Sequence, residues 1–201
     1  MKVVISLNGE KLHKYDFDKN AYYIACDGGY EFLKDNGITP DYVLGDFDSL
    51  SFVPDGAEVF PTDKNYTDGE LGLIKALELK ADFIEFINVG GKRDDQFFAN
   101  VGLLEKAESN GVRCKAVTNA GDIYFCNDEI ELSVDEGSVI SVCPLENSVL
   151  LKSSGLKYEF CDYSVKRGDT LGISNLSNDK RIYVKVRGAV LVFVNKKATS
   201  Y

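Results

Sequence analysis

The chain has 201 residues, 44% of them hydrophobic and 27% charged, which fits one large or two small globular domains and opposes extended disorder. Asp and Glu outnumber Lys and Arg by 32 to 23, and the formal net charge of −9 opposes binding to nucleic acid or an anionic membrane through bulk electrostatics. Five scattered cysteines (Cys26, Cys114, Cys126, Cys143, Cys161) without a C-x-x-C pair argue against a disulfide framework or a structural zinc site, and the single histidine His13 excludes any chemistry of paired histidines.

Apolar runs at 2–7, 21–26, 42–45, 57–60, 83–89 and 114–117 predict strands. Between them, 30–37, 67–81 and 96–110 predict helices; Leu71, Ile74 and Leu77 share one face of the second, and Phe97, Val101 and Leu104 one face of the third. Strand–helix alternation implies an α/β N-terminal domain with a mainly parallel sheet and flanking helices. Beyond Gly121 the helical period disappears. Short β-prone runs at 122–126, 129–134, 138–143, 147–154, 156–160, 169–174, 181–186 and 189–194 alternate with turn signals such as Asp135-Glu136-Gly137 and Gly168-Asp169. They predict an all-β C-terminal sandwich, giving domains at 1–121 and 122–201. The N-terminal apolar run is too short for a signal peptide, and Ala189–Val194 is too short to span a bilayer, so a cytoplasmic protein without membrane contact is expected.

The carboxylates fall just past the C-termini of the predicted strands, the edge where open α/β sheets bind ligands. Asp27-Gly28-Gly29 follows the second strand and Asp46-Phe47-Asp48-Ser49 the third. Lys64 and Thr67-Asp68 follow the fourth, and Gly90-Gly91, Arg93, Asp95 and Gln96 the fifth. Each cluster alone has an ordinary structural account. Asp27-Gly-Gly makes a turn, Thr67-x-x-Glu70 is a capping box, and Asp68 and Asp95 suit a first helical turn. The Asp46-Phe47-Asp48 unit asks for more. In extended backbone the two carboxylates point to one side and Phe47 to the other, and two adjacent like charges call for a cation between them. Mg²⁺ takes such oxygen ligands and shares them with substrate phosphates. Gly28 and Gly29 would let backbone N–H groups approach an anion, and Lys64 and Arg93 offer charge to phosphoryl oxygens. From the residues alone the expectation is a Mg²⁺-dependent enzyme acting on a nucleoside phosphate.

At these residues the sequence resembles the thiamine pyrophosphokinase (thiamine diphosphokinase) family. The family order of motifs stands here as Asp27-Gly28-Gly29, Gly45-Asp46-Phe47-Asp48-Ser49, Lys64-x-x-Thr67-Asp68 and Arg93-Asp94-Asp95-Gln96. Ser154-Gly155-Leu156-Lys157-Tyr158 and Ser174-Asn175 resemble the thiamine-side motifs of the C-terminal domain. Lys92 replaces the glycine that usually precedes the arginine, Gln96 stands where many bacterial members have His, and Tyr158 stands where Trp is frequent. The resemblance implies transfer of the pyrophosphoryl group of ATP to thiamine, giving thiamine diphosphate and AMP. It implies Mg²⁺ on Asp46, Asp48 and Asp68. Asp27 or Asp95 would orient or deprotonate the thiamine hydroxyl. Gly28, Gly29, Ser49, Lys64, Thr67, Arg93 and Gln96 would contact ATP, and Ser154, Tyr158, Ser174 and Asn175 would contact thiamine. It also implies a homodimer with active sites shared between subunits. Two other classes compete: a Mg²⁺-dependent phosphohydrolase or nucleotidyl transferase on another alcohol, which would have no use for Tyr158 and Ser174-Asn175, and a non-catalytic thiamine or nucleotide sensor, marked by Lys92 and Gln96.

Overall fold

A computed structural model describes residues 1–196. By internal packing the chain divides into two units, Met1–Asn119 and a second beginning at Ala120. In the first, β1 (Lys2–Ser6), β2 (Tyr22–Cys26), β3 (Tyr42–Gly45), β4 (Glu58–Val59), β5 (Phe83–Ile87) and β6 (Arg113–Val117) alternate with α1 (Gly29–Asp35), α2 (Asp68–Glu78) and α3 (Asp94–Ser109). The strands pair in parallel in the order β6-β5-β1-β2-β3-β4. Parallel strands covered on both faces read as unbroken apolar runs, and β1 and β5 are buried at four of five positions each. Val4, Tyr23, Ala25 and Val43 pack with Phe32 and Leu33 of α1. On the other face, Gly72 of α2 lies so close to Ile5, Ile24 and Cys26 that a Cβ there would sit 2.7 Å from the Cys26 sulfur.

Strand order reverses at β1. The chain winds outward through β2, β3 and β4, then returns to place β5 on the other side of β1. The crevice beyond the C-terminal ends of the strands at such a reversal is the favoured ligand position of an open α/β sheet.

The second unit holds β7 (Gly121–Cys126), β8 (Glu129–Ser133), β9 (Val139–Pro144), β10 (Ser148–Ser154), β11 (Cys161–Val165), β12 (Asn175–Leu176), β13 (Arg181–Arg187) and β14 (Val190–Asn195). They form two antiparallel layers, β12-β9-β14-β7 and β11-β10-β13-β8. Ile140, Val142, Val190 and Val192 of one layer share a core with Leu150, Ile182, Val184 and Val186 of the other. This is the sandwich expected from the alternating pattern. Three local expectations fail. Residues 156–160 make a loop with one isolated bridge at Leu156, and 169–174 form turns, while the mostly exposed Cys161–Val165 is a strand. Leu171 and Ile173 of the misread turn are exposed, so their apolar character has another cause than strand burial.

Candidate active site

The sequence places its acidic motifs at strand ends, and the fold gathers them. Asp27 follows β2 in a left-handed conformation (φ 48°) and is 5% exposed. Asp46 and Asp48 follow β3. The segment between them is not extended: Phe47 adopts φ 57° and buries its ring beside Val43 and Phe32. The carboxylates converge all the same, by a left-handed turn. Asp27, Asp46 and Asp48 each offer an oxygen, and these oxygens lie within 4.8 Å of one another. Aspartate tolerates left-handed backbone, but at a phenylalanine it is costly, and such strain concentrates at functional sites.

Lys64 stands between two carboxylates. Its Nζ donates to Asp46 Oδ2 at 3.1 Å and lies 3.2 Å from Asp68 Oδ1, an ion pair without an aligned hydrogen bond. The three side chains are only 11–22% exposed. Burial pushes the Asp46 carboxyl up, but hydrogen bonds from Lys64 and the Asp48 N–H, with the lysine charge, bring it below the usual carboxylate range. Burial pulls Lys64 down, and Asp46 and Asp68 together hold it above its ordinary value. Asp68 itself is raised, because burial and the charges of Asp46 and Asp27 outweigh Lys64. Thr67 caps α2 by accepting from the Glu70 N–H at 3.1 Å, whereas the Glu70 carboxylate pairs with Lys106 rather than returning to Thr67.

Beside this cluster lies a cavity of about 180 Å³ lined by Asn8, Asp27, Thr67, Asp68, Gln96 and Asn100, among others. Arg93 and Asp95 do not line it. They are exposed and paired with each other, Arg93 Nη2 to Asp95 Oδ2 at 2.5 Å and Nε to Oδ1 at 3.0 Å, which lowers the Asp95 carboxyl and raises the guanidinium. The space that side chains would need at Gly28 and Gly29 is already filled: a Cβ would meet Asn8 Oδ1 at 2.2 Å and the Ser6 carbonyl at 2.1 Å. Packing therefore accounts for both glycines. Ser49 Oγ donates to Asp27 Oδ2 at 2.6 Å.

Asn8 and Asn100 of the site are not among the residues expected from the sequence, and Asn8 bonds directly to the acidic cluster. Asn8 follows β1 at the same edge as the acidic motifs, and its Nδ2 donates to Asp27 Oδ2 at 2.7 Å and to Ser49 Oγ at 3.0 Å. The signal was present, since Asn8-Gly9 ends the first predicted strand, but the pair reads as an ordinary turn.

Asp27 Oδ1 is buried and has no hydrogen-bond partner. A buried carboxylate oxygen left bare next to two further carboxylates suits a hard divalent cation, which takes oxygen ligands and offsets the repulsion. The donor set fits such an ion.

In the second unit, Tyr158, Phe160, Tyr163, Leu171, Ile173, Ser174 and Asn175 line a cavity of about 340 Å³. The buried Asn175 amide fixes the backbone of Tyr158: Oδ1 accepts from its N–H at 3.0 Å and Nδ2 donates to its carbonyl at 2.7 Å. Tyr158 is 64% exposed, with the Lys157 ammonium 5.4 Å from its ring centre. Tyr158, Ser174 and Asn175 are thus brought together. Ser154, at the exposed end of β10, does not line the cavity.

Comparison with known proteins shows the family. Residues 14–116 match the profile of the thiamin pyrophosphokinase catalytic domain, and residues 127–191 that of the thiamin pyrophosphokinase vitamin B1 binding domain. The chain is 30% identical over 169 residues to the thiamine pyrophosphokinase of Bacillus subtilis strain 168, covering 79% of each protein. The crystal structure of thiamine pyrophosphokinase from Bacillus subtilis superposes with a TM-score of 0.87 at 25% identity, covering 98% of this chain and 99% of that one. That of the Candida albicans thiamin pyrophosphokinase, at 18% identity, shares the fold with a TM-score of 0.77 over 96% and 88% of the two chains.

Proposed function

The chain belongs to the thiamin pyrophosphokinase family, and on that premise we propose that it transfers the pyrophosphoryl group of ATP to thiamine, giving thiamine diphosphate and AMP. What carries the proposal is the convergence of Asp27, Asp46 and Asp48 beside Lys64, in a chain that also carries the aromatic cavity of the second unit.

Asp27, Asp46 and Asp48 would hold the divalent cation, Mg²⁺ in this reading; Asp27 takes the place expected of Asp68, whose carboxylate shares Lys64 with Asp46. The cation supplies neutralisation of charge on the phosphate oxygens. Lys64 carries a second positive charge at the same place, kept protonated by its two carboxylates. Arg93 is exposed, and its exchange from Asp95 to a phosphate costs little in water. The thiamine hydroxyl oxygen attacks the β-phosphorus in line as the bond to the α-phosphate oxygen breaks. AMP leaves with that electron pair, and the hydroxyl proton passes to water as the new P–O bond forms. In a loose transition state the oxygen needs orientation more than a strong base. Asp95, exposed and outside the cavity, is a poor candidate for that task. Gln96 lines the cavity with Asp27 and Asp68 and offers hydrogen bonds without titrating.

Tyr158, with Ser174 and Asn175, supplies the thiamine side. An exposed ring whose backbone is fixed on both sides suits stacking and cation–π contact with a flat, cationic heterocycle. The protein acts as a cytoplasmic homodimer in which the second unit of one protomer completes the site of its partner. No helix among the described residues is long and apolar enough to cross a membrane. Product analysis tests the proposal. With ATP, Mg²⁺ and thiamine the protein should form AMP and thiamine diphosphate in equal amounts. Phosphate release independent of thiamine would favour a phosphohydrolase, and binding without turnover a sensor.

A further inference from the structure

The Asp27 carboxylate is divided in its surroundings. One oxygen, Oδ2, accepts from both Asn8 Nδ2 and Ser49 Oγ, and the other, Oδ1, is buried and bare. Such a division sets which oxygen remains free for a cation. The Asn8 amide maintains it only in one of its two flipped orientations, and the other would turn a carbonyl oxygen toward the carboxylate. The Asp27 carboxylate, which only accepts, calls for the first, and Lys92 holds the amide in it from the other end. Its Nζ lies 3.0 Å from the outer atom of the amide. An ammonium has donors and no acceptor, so the atom it bonds must be Oδ1, which leaves Nδ2 for Asp27 and Ser49. Gly28 leaves the seat for this amide, since a Cβ there would lie 2.2 Å from Asn8 Oδ1.

We propose that Asn8 is a positioning residue for the metal-binding carboxylate Asp27, and that Lys92 acts through Asn8 by fixing the orientation of its amide. The inference rests on the cation-binding role given to Asp27, Asp46 and Asp48 above. It gives Lys92, which stands where the resembled family has glycine, a task that glycine cannot perform. Partners that orient a metal ligand typically contribute about 10–100-fold to metal affinity.

Mn²⁺ alone is the probe, titrated into the full chain without nucleotide and followed by its paramagnetic resonance. Asn8→Leu keeps the shape of the side chain and removes the amide, and it should weaken Mn²⁺ binding about 10-fold or more. Lys92→Met should weaken it less, and Lys92→Arg, which retains a donor, should restore it. In the double variant Asn8→Leu/Lys92→Met the loss should be no greater than in Asn8→Leu, because Lys92 has nothing left to orient. Parent protein that binds no Mn²⁺, a folded Asn8→Leu variant that binds as the parent does, or a Lys92 effect that adds in full to that of Asn8 would each overturn the inference. If Asn8→Leu does not fold, the exposed Lys92 variants decide, since equal affinity in Lys92→Met and parent also overturns it. The titration involves no ATP or thiamine. A parent that binds Mn²⁺ through Asn8 yet forms no thiamine diphosphate would refute the assigned reaction and leave the positioning role standing.

Discussion

Asp46 and Asp48 stand two residues apart and live in different surroundings. Asp46 is 11% exposed and holds Lys64, whereas Asp48 lies open to solvent. Their substitutions should therefore differ in stability and agree in activity. Asp48→Asn should abolish turnover and leave thermal melting unchanged. Asp46→Asn should abolish turnover and also cost about 1–3 kcal/mol, because it removes one of two anions facing a nearly buried ammonium. Melting curves and AMP formation for each variant check this, and substantial turnover in both would place the cation elsewhere. The residue types of the site were legible in the sequence, because carboxylates two apart at a strand end have few structural uses. The turn that joins them was not. Side-chain alternation assumes extended backbone, and Phe47 takes a left-handed conformation that bulky residues seldom adopt. Asn8 was missed for a related reason, since the hydrogen bonds that give it a role reach 19 and 41 residues along the chain.

At the scale of elements, Glu85 ties the sheet together from inside. It lies on β5, side chain 8% exposed, with Lys2 of β1 at 3.0 Å, Lys115 of β6 at 3.4 Å and the Tyr15 hydroxyl donating to it. Tyr15 in turn packs edge-on against Phe17, beside Tyr23 and Phe32. Burial pushes the Glu85 carboxyl up, but Tyr15 and the two lysines overcome it and hold it below the ordinary range. A carboxyl depressed in the folded state adds stability above its unfolded value of about 4.5, and this is lost as pH falls through the folded value. Glu85→Gln should accordingly cost about 2 kcal/mol at pH 7, and the difference from the parent should shrink steadily below about pH 4. Urea unfolding across that range checks it, and a constant difference would contradict it. Glu85 interrupts an apolar run in the sequence without any sign of its partners. The strands and helices of the first unit were legible because burial on both faces leaves unbroken apolar runs between helical periods. In the second unit, Cys161–Val165 escaped because four of its five residues are exposed, and 169–174 misled because Leu171 and Ile173 line a cavity instead of a strand face.

For the whole molecule, fold class and family were both written in the order of motifs along the chain, while assembly is a matter of surfaces that sequence pattern does not display. Tyr158 is exposed, so Tyr158→Ala should leave melting unchanged, raise the KM for thiamine and spare that for ATP. In mixtures of Tyr158→Ala and Asp48→Asn protomers, assayed at thiamine too dilute for either variant alone, sites shared across a dimer should recover activity in proven heterodimers. No recovery would confine each site to one protomer. The central claim is that the aspartate cluster directs attack on the β-phosphorus of ATP by thiamine. Its most direct test is the fate of ATP radiolabelled at the β-phosphate, incubated with the protein, Mg²⁺ and thiamine. The label should pass entirely into thiamine diphosphate, with the AMP formed unlabelled. Label retained in ADP, or released as free pyrophosphate while thiamine remains unmodified, would contradict the account.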